Sequence, residues 1–242
     1  MAGVFARGFL RIGHPVFPVT RQINMQEAAA GISEPEMVLV AVAENDLQSV
    51  LEQLPESWRK NTVLLQNELL PRDWARHHLL DPTVISVWFE KKKGQDYKVL
   101  IPSPAFGPKA ALLQQALGAI DIPCRVLNNE AELLHELVLK NIYIITTNVA
   151  GLVTGGTVSE LWADHQDLCT RIANEVIDIQ EWLTAKTFDR QALIKDMLVA
   201  FDGDPAHNCM GRSATARLER ALTLADEAGL NVPEMRNIKS RQ

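Results

Sequence analysis

The chain has 242 residues, of which 47% are hydrophobic and 22% charged, and its formal net charge is -6. That length supports one or two domains with a sizeable core. The acidic balance and the lack of a basic stripe argue against a nucleic-acid partner, and Lys91-Lys92-Lys93 reads as one short solvated turn. No apolar run is expected to reach the ~18 residues of a membrane span. The N-terminus lacks a signal peptide's order of charge, apolar run and small-residue cleavage site. Cys124, Cys169 and Cys209 are odd in number and scattered, which argues against a structural metal or a disulfide framework and makes the cytoplasm the expected compartment.

Residues 1–13 read as a helix with Val4, Phe5, Phe9, Leu10 and Ile12 on its apolar side and Gly13 as its C-terminal cap. His14-Pro15 leads into a short apolar strand, Val16-Phe17-Pro18-Val19, which stops at Thr20-Arg21. A helix, a strand and then an arginine make the second half of a dinucleotide-binding unit. In that unit the diphosphate rests on a glycine loop and the start of the first helix, and an arginine after the second strand accommodates the 2′-phosphate of NADP. Ala2 and Gly3 stand where the tail of such a loop would sit, and Arg21 favours NADP. The helix opens at residue 1, so the first strand and the glycine loop are expected to be missing.

Met37 to Ala43 is a continuous apolar run, as in a strand buried on both faces of a parallel sheet. Glu44 to Leu54 is an amphipathic helix with Asn45 or Asp46 as its cap. Asn61 to Asn67 is another buried strand, ending in Gln66-Asn67, and ligands of open α/β sheets bind off the carboxyl ends of the strands. Val84–Phe89 and Tyr97–Ile101 read as strands around a hairpin-like connection. A helix over 109–120 and a short strand over 124–127 complete an α/β domain, 1–127. From Asn129 onward the pattern is helical, over 130–150, 158–184, 190–199 and 213–228, a compact bundle that forms a second domain, 128–242.

The first helix of that bundle carries Lys140 and Asn148 among aliphatic residues. At ~100° per residue the two differ by about 80° in direction and about 12 Å along the axis, so they can line one cleft. A lysine in such a helix is costly unless it is paired, exposed or functional.

In order along the chain, the opening that ends in Thr20-Arg21, the strand Val38-Leu39-Val40-Ala41-Val42, the strand ending in Gln66-Asn67, the Lys140 and Asn148 helix, Arg171-x-x-x-Glu175 and the closing Gly229-x-x-x-Pro233 resemble the ketopantoate reductase family. The resemblance implies a truncated NADP-binding Rossmann-like domain followed by an all-α domain of the 6-phosphogluconate dehydrogenase kind. It implies Lys140 as the catalytic lysine and Asn148 as a substrate contact, while Arg171 and Glu175 would be structural. Cofactor contacts would be Ala2, Gly3, Arg21, Gln66 and Asn67. The sequence departs from the family at Ile144, which replaces the middle asparagine, and at Glu68, which replaces a glycine. The family's serine and late glutamate have no clear match. Counting back from Pro233 puts the glutamate position near Ser213, and His207 is a candidate substitute acid or substrate contact.

The expected function is an NADP-dependent reductase of a small 2-keto acid or related carbonyl, possible as a homodimer. The alternative is a nucleotide-binding or interaction protein that kept the fold and lost catalysis.

Overall fold

A computed structural model describes residues 1–92 and 94–242, so Lys93 of the lysine run lies outside the described residues. The elements in order are helix α1 (Ala2–Arg11), α2 (Met25–Gly31), strand β1 (Val38–Val40), a 3-10 turn (Glu44–Asp46), α3 (Leu47–Glu52), α4 (Glu56–Arg59), β2 (Thr62–Leu64), α5 (Pro71–Ala75), β3 (Thr83–Ile85), β4 (Phe89–Lys91), β5 (Tyr97–Val99), β6 (Ser103–Phe106), α6 (Ala110–Gly118) and β7 (Cys124–Val126). Helices α7 (Glu130–Thr154), α8 (Val158–Asp164), α9 (Gln166–Thr184), α10 (Arg190–Gly203), α11 (Ala214–Ala228) and α12 (Pro233–Lys239) follow. The chain divides into two compact units, Met1–Leu137 and Val138–Gln242, and the division falls inside α7.

The first unit is built on a five-stranded sheet in the order β1-β2-β3-β6-β7. Its pairs are parallel except β3 with β6. The strands are short and apolar, and β2 and β3 are buried throughout, as expected of strands covered on both faces. Helices α1 and α6 pack on the sheet. Phe5 and Phe9 of α1 meet Leu113, Ala116 and Leu117 of α6 over Val63, Ile85 and Ala105. Their close approach needs Gly8, where a Cβ would run into the backbone carbonyl of Ala116. The strand expected over Val84–Phe89 is split: Thr83–Ile85 joins the sheet as β3, and the hairpin is made by β4 and β5, antiparallel with Phe89 opposite Val99.

Other features also differ from the sequence reading. Val16–Val19 is not a strand: Val16, Phe17 and Val19 are exposed. Pro15 and Pro18 each remove a ladder donor, which is poorly compatible with pairing inside a sheet. Strand β6, by contrast, was hidden by Pro102 and Pro104. It pairs nonetheless, because the Pro104 carbonyl accepts from the Ser86 amide at 2.9 Å. It also runs antiparallel to β3, so the sheet is mainly rather than wholly parallel. The single helix expected over 158–184 is two, broken at His165 (φ −136°, ψ 32°).

In the second unit α9 is the central helix, packed by α8, α10, α11 and α12. Its buried polar residues tie down its neighbours. Gln180 accepts from Asn141 of α7 at 2.9 Å. Both carboxylate oxygens of Glu175 accept backbone N–H groups at the start of α12, from Glu234 at 2.7 Å and Met235 at 3.0 Å. Arg171 bonds the Glu234 carboxylate at 2.8 Å. The Arg171-x-x-x-Glu175 pattern therefore clamps the first turn of α12, where orphan backbone donors would otherwise be unpaired. Helix α7 corrects the expectation about apolar runs. It is long and apolar enough to cross a membrane, with mean hydropathy 1.4, but 72% of that window is buried inside the protein, as in a core helix.

Candidate functional site

From Glu136 to Gly151 every residue of α7 is buried except Lys140 and Ile144, which are partly exposed. These two are four residues apart, one turn of helix, so they share a face. Asn148, the next residue on that face, is buried at 6% exposure. The core helix thus opens at one window, and the window holds a lysine.

The Lys140 amine lies 5.5 Å from the centre of the Tyr143 ring. Burial, helped by the positive charge of Arg217, pushes that amine down from 10.5 to about 7. Low dielectric disfavours the ammonium, and a neighbouring cation disfavours it further. At neutral pH the group can therefore both hold and release a proton.

Asn148 joins three parts of the second unit. Its amide nitrogen donates to the Cys209 carbonyl at 3.1 Å, and its amide oxygen accepts from Arg217 Nη1 at 2.9 Å. Arg217, on α11, is 7% exposed. The loop bearing Cys209 sits tightly on α7 at Gly151, where a Cβ would come within 2.9 Å of the Cys209 Cβ and 3.0 Å of the Met210 nitrogen. The same loop bridges Thr157 to Asn208, and the His207 carbonyl accepts from Val158 at 2.9 Å.

His207 lies beside this arrangement. Its ring is 6.4 Å from that of Tyr143, and its Nδ1 is 3.4 Å from the buried carboxylate of Asp204. Tyr143 also meets Phe201 edge-on at 5.7 Å. Ser213 is partly exposed at the start of α11, one turn before Arg217, and its side chain makes no capping bond. The structure therefore gathers Lys140, Asn148 and His207 of the expected set around Tyr143, Asp204 and Arg217, with Ser213 on the Arg217 helix. Arg217 was missed by the sequence reading. Its signal was an arginine on the apolar stripe of its own helix, with Leu218, Ala221 and Ala225.

The expected cofactor residues belong to the first unit. Helix α1 begins without a side-chain cap, and a Cβ at Gly3 would meet nothing within 4 Å. Arg21 is 90% exposed and paired with Asp46 at 2.9 Å, the kind of surface contact that exchanges readily for another anion. Gln66 is buried and committed to the sheet. Its side-chain nitrogen donates to the Val40 carbonyl at 2.7 Å, and its oxygen accepts from the Leu65 amide at 3.1 Å. Asn67 donates to the Glu44 carboxylate at 2.9 Å, so both lie just past the carboxyl ends of β1 and β2. The free thiols of Cys124, Cys169 and Cys209 are pushed up by burial, to about 11, 12 and 11.

No family model and no curated protein matches the chain. Solved structures do. A probable 2-dehydropantoate 2-reductase from Bacillus subtilis aligns over 99% of this chain and 95% of its own, at 17% identity and a TM-score of 0.65. A ketopantoate reductase from Ralstonia eutropha aligns over 98% and 91%, at 15% identity and a TM-score of 0.62. A D-mandelate dehydrogenase solved with NADH aligns over 86% and 77%, at 11% identity and a TM-score of 0.61. The chain therefore has the ketopantoate reductase-like fold, an α/β unit followed by a helical one.

Proposed function

We propose that this chain is a nicotinamide-dependent reductase of a small 2-keto acid or related carbonyl, with NADP as its cofactor. The observation that carries the reading is Lys140: a lysine at the one opening of a core helix, its amine lowered to about 7. The fold adds support, since the similar structures are keto-acid reductases and a dehydrogenase.

The first unit has features that fit a dinucleotide. The uncapped start of α1 with Gly3 has room for a diphosphate. Arg21 can exchange Asp46 for a 2′-phosphate. Asn67 and Glu44 lie at the strand ends where such ligands bind, while Gln66 positions them by tying β1 to β2. When bound, the nicotinamide supplies the hydride.

The protein's own part is the proton and the charge. Protonated Lys140 stabilises negative charge on the carbonyl oxygen as it develops, then donates its proton to that oxygen. An amine near neutrality does both with little driving force lost. His207, oriented by Asp204, is a second polar contact for substrate, and Ser213 is a third. Asn148 acts by holding the loop and Arg217 in place. A cytoplasmic compartment and a homodimer are both part of the proposal, the second because one similar structure is of a dimeric ketopantoate reductase.

The test is NADPH and NADH binding by fluorescence, followed by nucleotide oxidation across a panel of 2-keto acids. Turnover with NADPH is expected. Tight binding without turnover on the whole panel would favour the catalytically inactive alternative, for which Ile144 and Glu68 speak.

A further inference from the structure

The turn that carries Arg21 is fastened to the segment just past β1. Its own closure is a bond from the Ile23 amide to the Thr20 carbonyl at 2.9 Å. Arg21 Nη2 donates to Asp46 Oδ2 at 2.9 Å. A second tie, from the Gln26 side chain to the Gln53 carbonyl at 3.0 Å, joins α2 to the end of α3. The backbone of Asp46 is set by the 3-10 turn: its amide donates to the Ala43 carbonyl at 3.0 Å, and its carbonyl accepts from the Ser49 hydroxyl at 3.0 Å. The Asp46 carboxylate makes no cap bond to α3. The pair therefore sits at the carboxyl end of β1, as Glu44 and Asn67 do, where open α/β sheets receive their ligands.

In dinucleotide sites an acidic side chain accepts the 2′-hydroxyl of NADH, and an arginine takes the 2′-phosphate of NADPH. Here one of each stands in contact. The Arg21 side chain is 90% exposed and that of Asp46 43%, so the bond between them costs little to exchange. Exchange moves the guanidinium, but the fixed backbone of Asp46 keeps its carboxylate nearby. A phosphate dianion taken by Arg21 then has a like charge beside it, and like charges at short range oppose each other.

We propose that Asp46 is the residue that sets nucleotide selectivity. Its carboxylate accepts the 2′-hydroxyl of NADH and contests Arg21 with the 2′-phosphate of NADPH, so the pair admits both nucleotides. This rests on the nicotinamide reading above and adds to it a second acceptable cofactor and the residue that balances the two.

The test compares the wild type with Asp46→Asn and Arg21→Gln, using the full chain. Adenosine 2′,5′-bisphosphate and adenosine 5′-monophosphate, which cannot react, are titrated calorimetrically, and NADPH and NADH by fluorescence. The wild type is expected to bind both nucleotides. Asp46→Asn, which keeps the shape and removes the charge, should shift the preference toward the 2′-phosphorylated member of each pair by roughly tenfold. That shift should shrink in about 1 M salt, where exposed charges are screened. Arg21→Gln should move the preference the other way. A purely structural part for Asp46 would weaken both members of a pair equally, and that result, or an unchanged preference, overturns the assignment even if the enzyme reduces keto acids with NADPH. A preference that shifts with Asp46 while no keto acid is reduced upholds the assignment and defeats the reductase reading instead. If the wild type binds neither nucleotide, both fall.

Discussion

Replacing Lys140 by methionine should stabilise the protein while destroying its activity. The amine is lowered from 10.5 to about 7 by burial and by Arg217. At ~1.4 kcal/mol per pH unit, that lowering makes the ammonium roughly 4 to 5 kcal/mol less favourable in the folded chain than in the unfolded one. Lys140 is partly exposed, so relaxation and entering water reduce this, and a net gain of about 2 kcal/mol is the working figure. Methionine keeps the unbranched length and the packing of the stem. The dependence on pH is the sharper signature. The folded value lies below the unfolded one, so the unfolded chain binds more protons between them and wild-type stability rises with pH across that window. The advantage of Lys140→Met is therefore full below about pH 7 and fades as pH approaches ~10.5. Urea unfolding of both proteins near pH 6 and near pH 9.5 measures it. A variant that is less stable at both pH values, or a gap that does not narrow with rising pH, would refute the argument that the amine is held in an unfavourable place.

The clamp on α12 gives a second prediction: Glu175→Ala leaves the amides of Glu234 and Met235 without their acceptors, and urea unfolding should show a loss of about 2 to 3 kcal/mol. Gly151→Ala forces the Cys209 loop off α7, so the Cys209 thiol, 1% exposed in the native protein, should react with a thiol reagent much faster, at a stability cost of roughly 1 to 3 kcal/mol; unchanged labelling would mean that the loop is seated elsewhere. Gln66→Leu removes the bridge between β1 and β2 and should cost about 1 to 3 kcal/mol while also weakening nucleotide binding, read by nucleotide fluorescence. Reduction should need the ammonium form of Lys140, so turnover at saturating substrate should fall as pH rises through and above about 7, where the amine loses its proton; a rate that climbs through this range would assign the proton to another group.

Much of this fold could be read from local pattern. The run Met37–Ala43 holds β1, Asn61–Asn67 holds β2, and the helices after Asn129 lie close to where their apolar spacing placed them. These elements bury whole faces, so the pattern that marks them is the one that stabilises them. The strand expected at Val16–Val19 failed because a strand is defined by its partner, and local apolarity supplies none; its prolines cannot donate to a ladder. Strand β6 was hidden for the converse reason, since its prolines weigh against a strand while the carbonyl of Pro104 still accepts from Ser86.

At the candidate site, Lys140 stood out because a lysine in an aliphatic helix is conspicuous. Arg217 did not, because its link to Asn148 spans 69 residues of sequence and nothing local connects them. Asn148 looked like a residue facing substrate; the fold engages both ends of its amide, with the Cys209 carbonyl and with Arg217. Gln66 and Asn67 were placed correctly at strand ends, but which polar group spans two strands depends on register, and register is a property of the pair.

The central claim is that Lys140 carries the proton chemistry of a carbonyl reductase. The most direct measurement is the steady-state oxidation of NADPH with a 2-keto acid by the wild type and by Lys140→Ala, with nucleotide affinity measured in parallel. The account predicts a loss in kcat of about a hundredfold or more, with nucleotide affinity kept. Equal kcat in the two proteins would contradict it.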